Sequence, residues 1–200
     1  MTLPRIARRA HVGRRQRRYY AFAIDERAAS LVALLDQLGD ACNIVDFQYG
    51  KTDAAAAEPV IGFEGAPHAL DAIERAAAAI DIPARDVTGQ HAVDFRVIPL
   101  RPALFRTPVF VTISFPDRGG ALREFMHRVG DVASICYFNF ASTGETEGRA
   151  MMGFEFDAPA RRADFLRLLT ESGLPHQIMG PDECRFRVAM NQPATTGARP

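Results

Sequence analysis

The sequence predicts an α+β protein made of two copies of one βαββαβ unit, the strand and helix order of ferredoxin-like domains. Two observations carry that expectation. Sliding the chain on itself by 91 residues lays Arg27 on Arg118, Leu31 on Leu122, Gly39-Asp40 on Gly130-Asp131, Ile44 on Ile135 and Phe47 on Phe138. The same shift lays Gly62-Phe63-Glu64 on Gly153-Phe154-Glu155 and Phe95-Arg96-Val97 on Phe186-Arg187-Val188, with no gap. Within each copy the hydrophobic period then changes between two and 3.6 in the same order, and a long-period repeat implies one supersecondary unit built twice.

The second copy is the clearer one. Pro108 to Phe115 alternates β-branched and aromatic residues and reads as a strand. Pro116-Asp-Arg-Gly-Gly120 breaks it, and Leu122, Phe125, Met126 and Val129 form an amphipathic helical stripe. Gly130 is expected to end that helix as a left-handed cap. Ser134–Phe140 and Arg149–Phe156 read as a hairpin around the polar turn 142–148. A helix over Ala160–Ser172 stopped by Gly173, a short strand at His176–Met179, and a further strand or tail at Arg185–Met190 complete the unit. The first copy repeats the order, with a strand at Tyr19–Ile24 and a helix striped by Leu31, Leu34, Leu35 and Leu38. Hairpin strands follow at Ile44–Tyr49 and Val60–Phe63, then an alanine-rich helix over His68–Ile80.

The expected organisation is a basic arm (1–18), a first domain (19–98), a linker (99–107) centred on Pro99-Leu-Arg-Pro102, a second domain (108–190) and a polar, disordered tail (191–200). Domains this small bury only roughly 60–65% of their unfolded surface, so they should pack on each other or on a partner. Basic and acidic residues number 24 each, but an acid-free arm holding seven arginines leaves the body about seven charges acidic. The arm lacks the apolar core of a secretory signal and resembles a transit peptide only in being arginine-rich; it reads as a solvated extension before a nucleic-acid or membrane arm. No apolar run is long enough for a transmembrane helix. Cys42, Cys136 and Cys184 form no CxxC pair and read as free thiols in a reducing compartment, which points to the cytoplasm. The histidines add no metal-ligand spacing, so no metal and no cofactor is expected.

Catalytic chemistry finds little purchase. Lys51 is the only lysine and falls in Tyr49-Gly-Lys-Thr-Asp-Ala, an expected hairpin tip, so the buried Schiff-base lysine and glycine-rich cradle of a pyridoxal-phosphate enzyme are not foreseen. Gly50-Lys51-Thr52 resembles the end of a P-loop, but Val45 stands where that motif needs glycine. Asp25-Glu26 and Asp182-Glu183 are adjacent acids in turns, the setting of helix caps more often than of acid–base pairs. A ligand finds its best place at Asp117-Arg118-Gly119-Gly120. Two glycines before a helix allow close backbone approach, and the free N–H groups of the first turn favour an anion such as an amino-acid carboxylate. A plain tight turn is the alternative. The matching segment of the first copy, Glu26-Arg27-Ala28-Ala29, lacks the glycines and should make a tighter pocket or none.

Phe115-Pro-Asp-Arg-Gly-Gly-Ala-Leu-Arg-Glu-Phe125 resembles the F-P-E-x-P-G-A-L-x-x-F signature of the regulatory region of biosynthetic threonine dehydratase. Ile135–Phe140 and Gly148–Phe156 resemble the strands that follow it, and Tyr20–Glu26 with Val45–Tyr49 resemble that region's first copy. The similarity spans roughly residues 19–190. It implies tandem ACT-like domains that bind isoleucine or valine and set the activity of a separate catalytic domain, most simply as a homo-oligomer with no enzymatic chemistry of their own. It also implies a ligand-contacting tyrosine at Tyr49, which Phe140 replaces in the second copy. The candidate ligand residues are therefore Asp117, Arg118, Gly119, Gly120, Ala121, Ile135, Phe138 and Phe140, with Glu26, Arg27, Ile44 and Tyr49 in the first copy. The rivals are an RNA-binding domain of the same element order and a purely structural oligomerisation domain. The first is opposed by an acidic body and by Met151 and Gly153 where base-stacking aromatics would stand.

Overall fold

The computed structural model describes residues 16–142 and 147–180. Its strands are β1 (Gln16–Phe22), β2 (Ile24–Asp25), β3 (Asn43–Gly50), β4 (Ala56–Ala57), β5 (Val60–Gly65), β6 (Ala84–Asp86), β7 (Val109–Pro116), β8 (Ser134–Ala141), β9 (Glu147–Glu155) and β10 (His176–Ile178). Its helices are α1 (Ala28–Leu38), α2 (Pro67–Leu70), α3 (Ile73–Ala78), α4 (His91–Asp94), α5 (Ala121–Val129) and α6 (Pro159–Glu171), with a 3₁₀ turn at Pro102–Leu104. Setting aside the two-residue ladder of β2 with β4, each half runs βαββαβ.

The halves share one eight-stranded sheet of order β10-β7-β9-β8-β3-β5-β1-β6. Each half contributes its four strands in the order last-first-third-second, and all neighbours are antiparallel. The seam is the β3–β8 pair. There Phe47 faces Phe140, Gln48 faces Asn139 and Tyr49 faces Phe138. Because Gln48 and Asn139 are themselves 91 residues apart, the seam is centred on a two-fold relation between the copies. The Phe47 and Phe138 rings, equally spaced in sequence, stack across it with centroids 4.2 Å apart.

The repeat extends to an irregularity. In β3–β5 the register shifts between Ile44 and Asp46, and in β8–β9 between Ile135 and Tyr137, the same bulge 91 residues on. Each bulge faces a glycine, Gly62 or Gly153, because an aromatic ring lies on it: a Cβ on Gly62 would stand 2.7 Å from the Tyr19 ring, and one on Gly153 2.7 Å from the Phe110 ring. The correspondence slips only at the last strand. Phe22 pairs with Ala84, whereas Ile113 pairs with His176, one residue beyond the position that the 91-residue shift gives.

Helices α1, α3, α5 and α6 pack on one face through a single core that runs across both halves and includes Leu34, Leu35, Phe63, Phe125, Met126, Phe154 and Phe165. The other face of the first half is crossed by the segment after β6. Val87 and Val93 sit on Ala21 there, and the Gly50 backbone lies under Pro99, whose carbonyl oxygen would be 2.2 Å from a Cβ. Arg96 of this segment donates to Asp46 and Asn139 and, at 2.9 Å, to the Phe140 carbonyl, tying both sides of the seam together.

Several expectations are corrected. Gly130 follows α5 with right-handed geometry (φ −62°), not left-handed; it is glycine because a Cβ would meet the Met126 carbonyl at 2.8 Å and Val32 of α1 at 3.2 Å. The helix foreseen over His68–Ile80 is broken into α2 and α3, where the Tyr20 hydroxyl takes the Leu70 carbonyl that a continuous helix would use. β1 begins at Gln16, inside the expected arm, with Arg17 paired to Glu64 and Arg18 to Asp71. No side chain caps α1, so Asp25-Glu26 is not a capping pair. The rest of the arm, Asp182-Glu183, Cys184, the strand expected at Arg185–Met190 and the tail lie outside the described residues.

Candidate functional site

At the end of β7 the chain must turn from strand to helix within four residues. Gly120 permits this by taking φ +81°, a left-handed conformation that a side chain resists, and no side chain caps the helix it opens. The turn borders a cavity of about 50 Å³. Asp117, Arg118, Gly120, Ala121, Phe138 and Phe140 of the second half line it, together with Leu35, Leu38, Asp40, Asn43 and Ile44 of the first. The Phe140 ring lies over Gly148, where a Cβ would be 2.3 Å away, so Gly148 keeps this wall flat.

Electrostatics divide the rim. Asn43 donates its amide to Asp117 at 3.2 Å. Arg118 forks onto Glu124 at 2.7 and 2.5 Å, which holds the Glu124 carboxyl below its usual range. Asp40 accepts from Arg123 at 2.8 Å and stands over the glycine turn, its Oδ1 3.2 Å from where a Gly120 Cβ would be. A carboxylate of the other half thus stands beside the turn that opens α5.

A second cavity, of about 30 Å³, is the first one's image. Ile24, Asp25, Glu26, Arg27, Leu31, Phe47 and Tyr49 line it from the first half, and Ser134 and Ile135 from the second. Shifted by 91, these become Phe115, Pro116, Asp117, Arg118, Leu122, Phe138, Phe140, Asn43 and Ile44, all of which line the first cavity. Each cavity therefore takes its strand-to-helix turn from one half and the start of a seam strand from the other. Ile44 and Ile135, grouped above with their own copies, lie in the opposite copies' cavities. Of the twelve candidate residues, Gly119 alone lines neither cavity; it lies beside Asp40, 3.6 Å from where its own Cβ would be. Arg27 is exposed and paired with Asp25.

Behind the second cavity lies a cluster that sequence reasoning missed. Lys51 is not an exposed hairpin tip. Its ammonium, in a side chain only 11% exposed, lies 2.5 Å from Glu155 and 3.8 Å from Glu26, both 6% exposed. Tyr49 donates its hydroxyl to Glu26, and the Arg106 backbone N–H donates to Glu155. Burial raises the Glu26 carboxyl against the pull of Tyr49 and Lys51, and burial together with the Glu26 contact pushes the Tyr49 phenol up. The Cys136 thiol beside the cluster is buried, free and likewise pushed up by burial. Lys51 is thus a buried lysine after all, yet it is engaged by two carboxylates and has no glycine-rich cradle beside it. The only local signal was its being the chain's one lysine. Asp40 and Asn43 were missed as well, because they reach the cavity only through the β3–β8 seam.

Residues 105–188 match the family model of the C-terminal regulatory domain of threonine dehydratase. Over 177 residues the chain is 25% identical to the biosynthetic L-threonine dehydratase IlvA of Burkholderia multivorans, covering 86% of this chain but only 34% of that enzyme. Among solved structures, a putative glycine cleavage system transcriptional repressor covers 82% of this chain and 96% of its own at 12% identity, with a TM-score of 0.30. The acetolactate synthase small subunit from Thermotoga maritima covers 82% of this chain and 98% of its own at 13% identity and a TM-score of 0.31. Likenesses of that order carry no functional argument. The chain spans about a third of the curated enzyme it matches, and the domain matched is the regulatory one. Residues 105–188, which span the second βαββαβ unit, thus match the C-terminal regulatory domain of threonine dehydratase, the family that the sequence resembles.

Proposed function

We propose that this chain is an allosteric module that binds a free amino acid, isoleucine or valine, and passes its bound state to a catalytic threonine dehydratase partner in the cytoplasm, acting as a homo-oligomer and performing no catalysis itself. One observation carries the reading: each cavity is walled by both halves, so a guest that fills it biases how the halves meet along the β3–β8 seam. A ligand shifts a conformational balance only by what it gains in one arrangement over another, and a cavity shared across a seam is where such a difference arises. The regulatory-domain match supports it, as do the apolar walls of Leu35, Leu38, Ile44 and Phe138 beside the polar rim of Asp117 and Asn43. Among the described residues no helix is long and apolar enough to cross a membrane.

A thermal-shift screen of the twenty amino acids tests it. Stabilisation by isoleucine or valine should follow RT ln(1 + [L]/Kd), about 2.7 kcal/mol at a hundredfold excess over Kd. Gly120→Val, which sets a side chain against Asp40, should abolish the shift while circular dichroism shows the fold retained. A flat response to all twenty refutes the reading in favour of a structural oligomerisation domain, and retarded migration of mixed RNA at low salt would favour the nucleic-acid rival.

A further inference from the structure

The two cavities share one architecture, but their ionic surroundings differ. Beside Glu26 the chain places its own ammonium: Lys51 Nζ sits 2.5 Å from Glu155 and 3.8 Å from Glu26, with the Tyr49 hydroxyl on Glu26. A carboxylate flanked by a phenol, in an apolar surround, is what an incoming amino group would seek, and here that place is answered from within. Glu26, with Ser134, also forms the wall shared by the second cavity and a larger one of about 340 Å³ that Lys51 and Glu155 line.

At the Gly120 cavity the 91-residue shift puts Asp117 for Glu26, Phe140 for Tyr49, Ser142 for Lys51 and Glu64 for Glu155. No lysine can reach it, and Glu64 pairs with Arg17. Asp117 is exposed, accepts the Asn43 amide and forms no ion pair among the described residues. Its carboxylate is open to an incoming cation, whereas Glu26 already has one close by; a second ammonium at Glu26 would meet like charge in a poorly solvated place.

Resting on the amino-acid reading above, we infer that the chain binds one free amino acid rather than two: Asp117 receives its amino group at the Gly120 cavity, while Lys51, from behind Glu26, already neutralises the carboxylate that would receive one in the equivalent cavity. The duplicated site has thus been divided into a ligand site and one whose carboxylate is already answered.

Titration calorimetry of the full chain with L-isoleucine, and separately with L-valine, decides it. One equivalent per chain is expected, with affinity falling at least tenfold in Asp117→Asn. Lys51→Ser combined with Glu155→Gln copies the open site's residue and keeps the cluster's net charge, and should raise the count from one to two. Two equivalents in the unaltered chain, an unchanged affinity in Asp117→Asn, or a folded double variant that still binds one would each overturn the inference while leaving the amino-acid reading standing. No binding by the unaltered chain would refute that reading, and this inference with it. If the double variant fails to fold by near-ultraviolet circular dichroism, the count in the unaltered chain and the Asp117→Asn affinity still settle the matter.

Discussion

Lys51→Met is the sharpest probe of how the seam is held. Methionine keeps the length and apolar stem of lysine but leaves Glu26 and Glu155, each 6% exposed, without their shared cation. Removing one partner of a buried ion pair costs about 3–5 kcal/mol. The lower end applies, because Glu155 keeps the Arg106 backbone N–H, and Glu26 keeps the Tyr49 hydroxyl and, raised by burial, can take a proton. A loss of about 3 kcal/mol is a large part of an ordinary domain's stability and lowers Tm by roughly 6–12 °C in a chain of this size. Urea unfolding at pH 7 should show the midpoint falling with an unchanged slope. At pH 5 the loss should shrink, since the stranded Glu26 carboxyl, already raised by burial, takes a proton more readily there. A loss under about 1 kcal/mol at pH 7, or an equal loss at both pH values, would refute the claim that Lys51 is a buried counter-ion, since that claim rests on the usual cost of stranding one.

The buried carboxyls make a second prediction. Glu26 and Asp46 are both raised above their ordinary 4.5 and 3.8, first of all by burial. A folded state that holds a proton longer than the unfolded chain is favoured below the unfolded value and loses that advantage as pH rises through the folded one. Glu26→Gln should therefore gain on the unaltered protein between about pH 4 and pH 7, followed by chemical denaturation; a difference that stays flat or narrows contradicts the shift. Gly153→Ala drives a Cβ to 2.7 Å from Phe110 and 2.9 Å from the Cys136 sulfur and should cost about 1–3 kcal/mol. A loss under about 0.5 kcal/mol would show that packing at the bulge is not what requires Gly153, whereas Gly89→Ala, at φ +77° with nothing within 4 Å, should cost about 1–2 kcal/mol of backbone strain alone by the same measurement. Phe47→Ala removes one ring of the seam stack and should cost about 3–5 kcal/mol by urea unfolding; a loss under about 1 kcal/mol would mean the seam does not depend on that stack.

Most of the architecture was legible because each unit's elements are set by local pattern. The leucines of α1, the alternation of β7 and the strand-breaking Pro116–Gly120 all act over a few residues, and the 91-residue repeat lets a clear copy explain a thin one. Where the expectation failed, the cause came from elsewhere in the chain. The alanine-rich segment 68–80 has every local reason to be one helix, and it breaks because a tyrosine nearly 50 residues earlier takes a helix carbonyl. Gly130 looked like a helix cap and is instead a point of close approach between α1 and α5, a contact between halves that no window of sequence displays.

The site divides along the same line. The strand-to-helix turns were readable, since glycine before a helix is a local signal. What the sequence could not say is that the copies meet β3 against β8, which sends Ile44 and Asn43 into the second half's cavity and Ile135 and Ser134 into the first half's. Repeats that fold alike can join by either sheet edge or by their helices, and each choice would hand these residues to different neighbours. Lys51 is the extreme case. Its partners lie 25 residues before it and 104 after it, and only the seam together with the returning linker brings Glu26, Glu155 and the Arg106 N–H around it. A lone lysine in an alanine-rich loop reads as solvated, because burying it is costly unless carboxylates converge on it, and that convergence is a property of the joined halves rather than of either one.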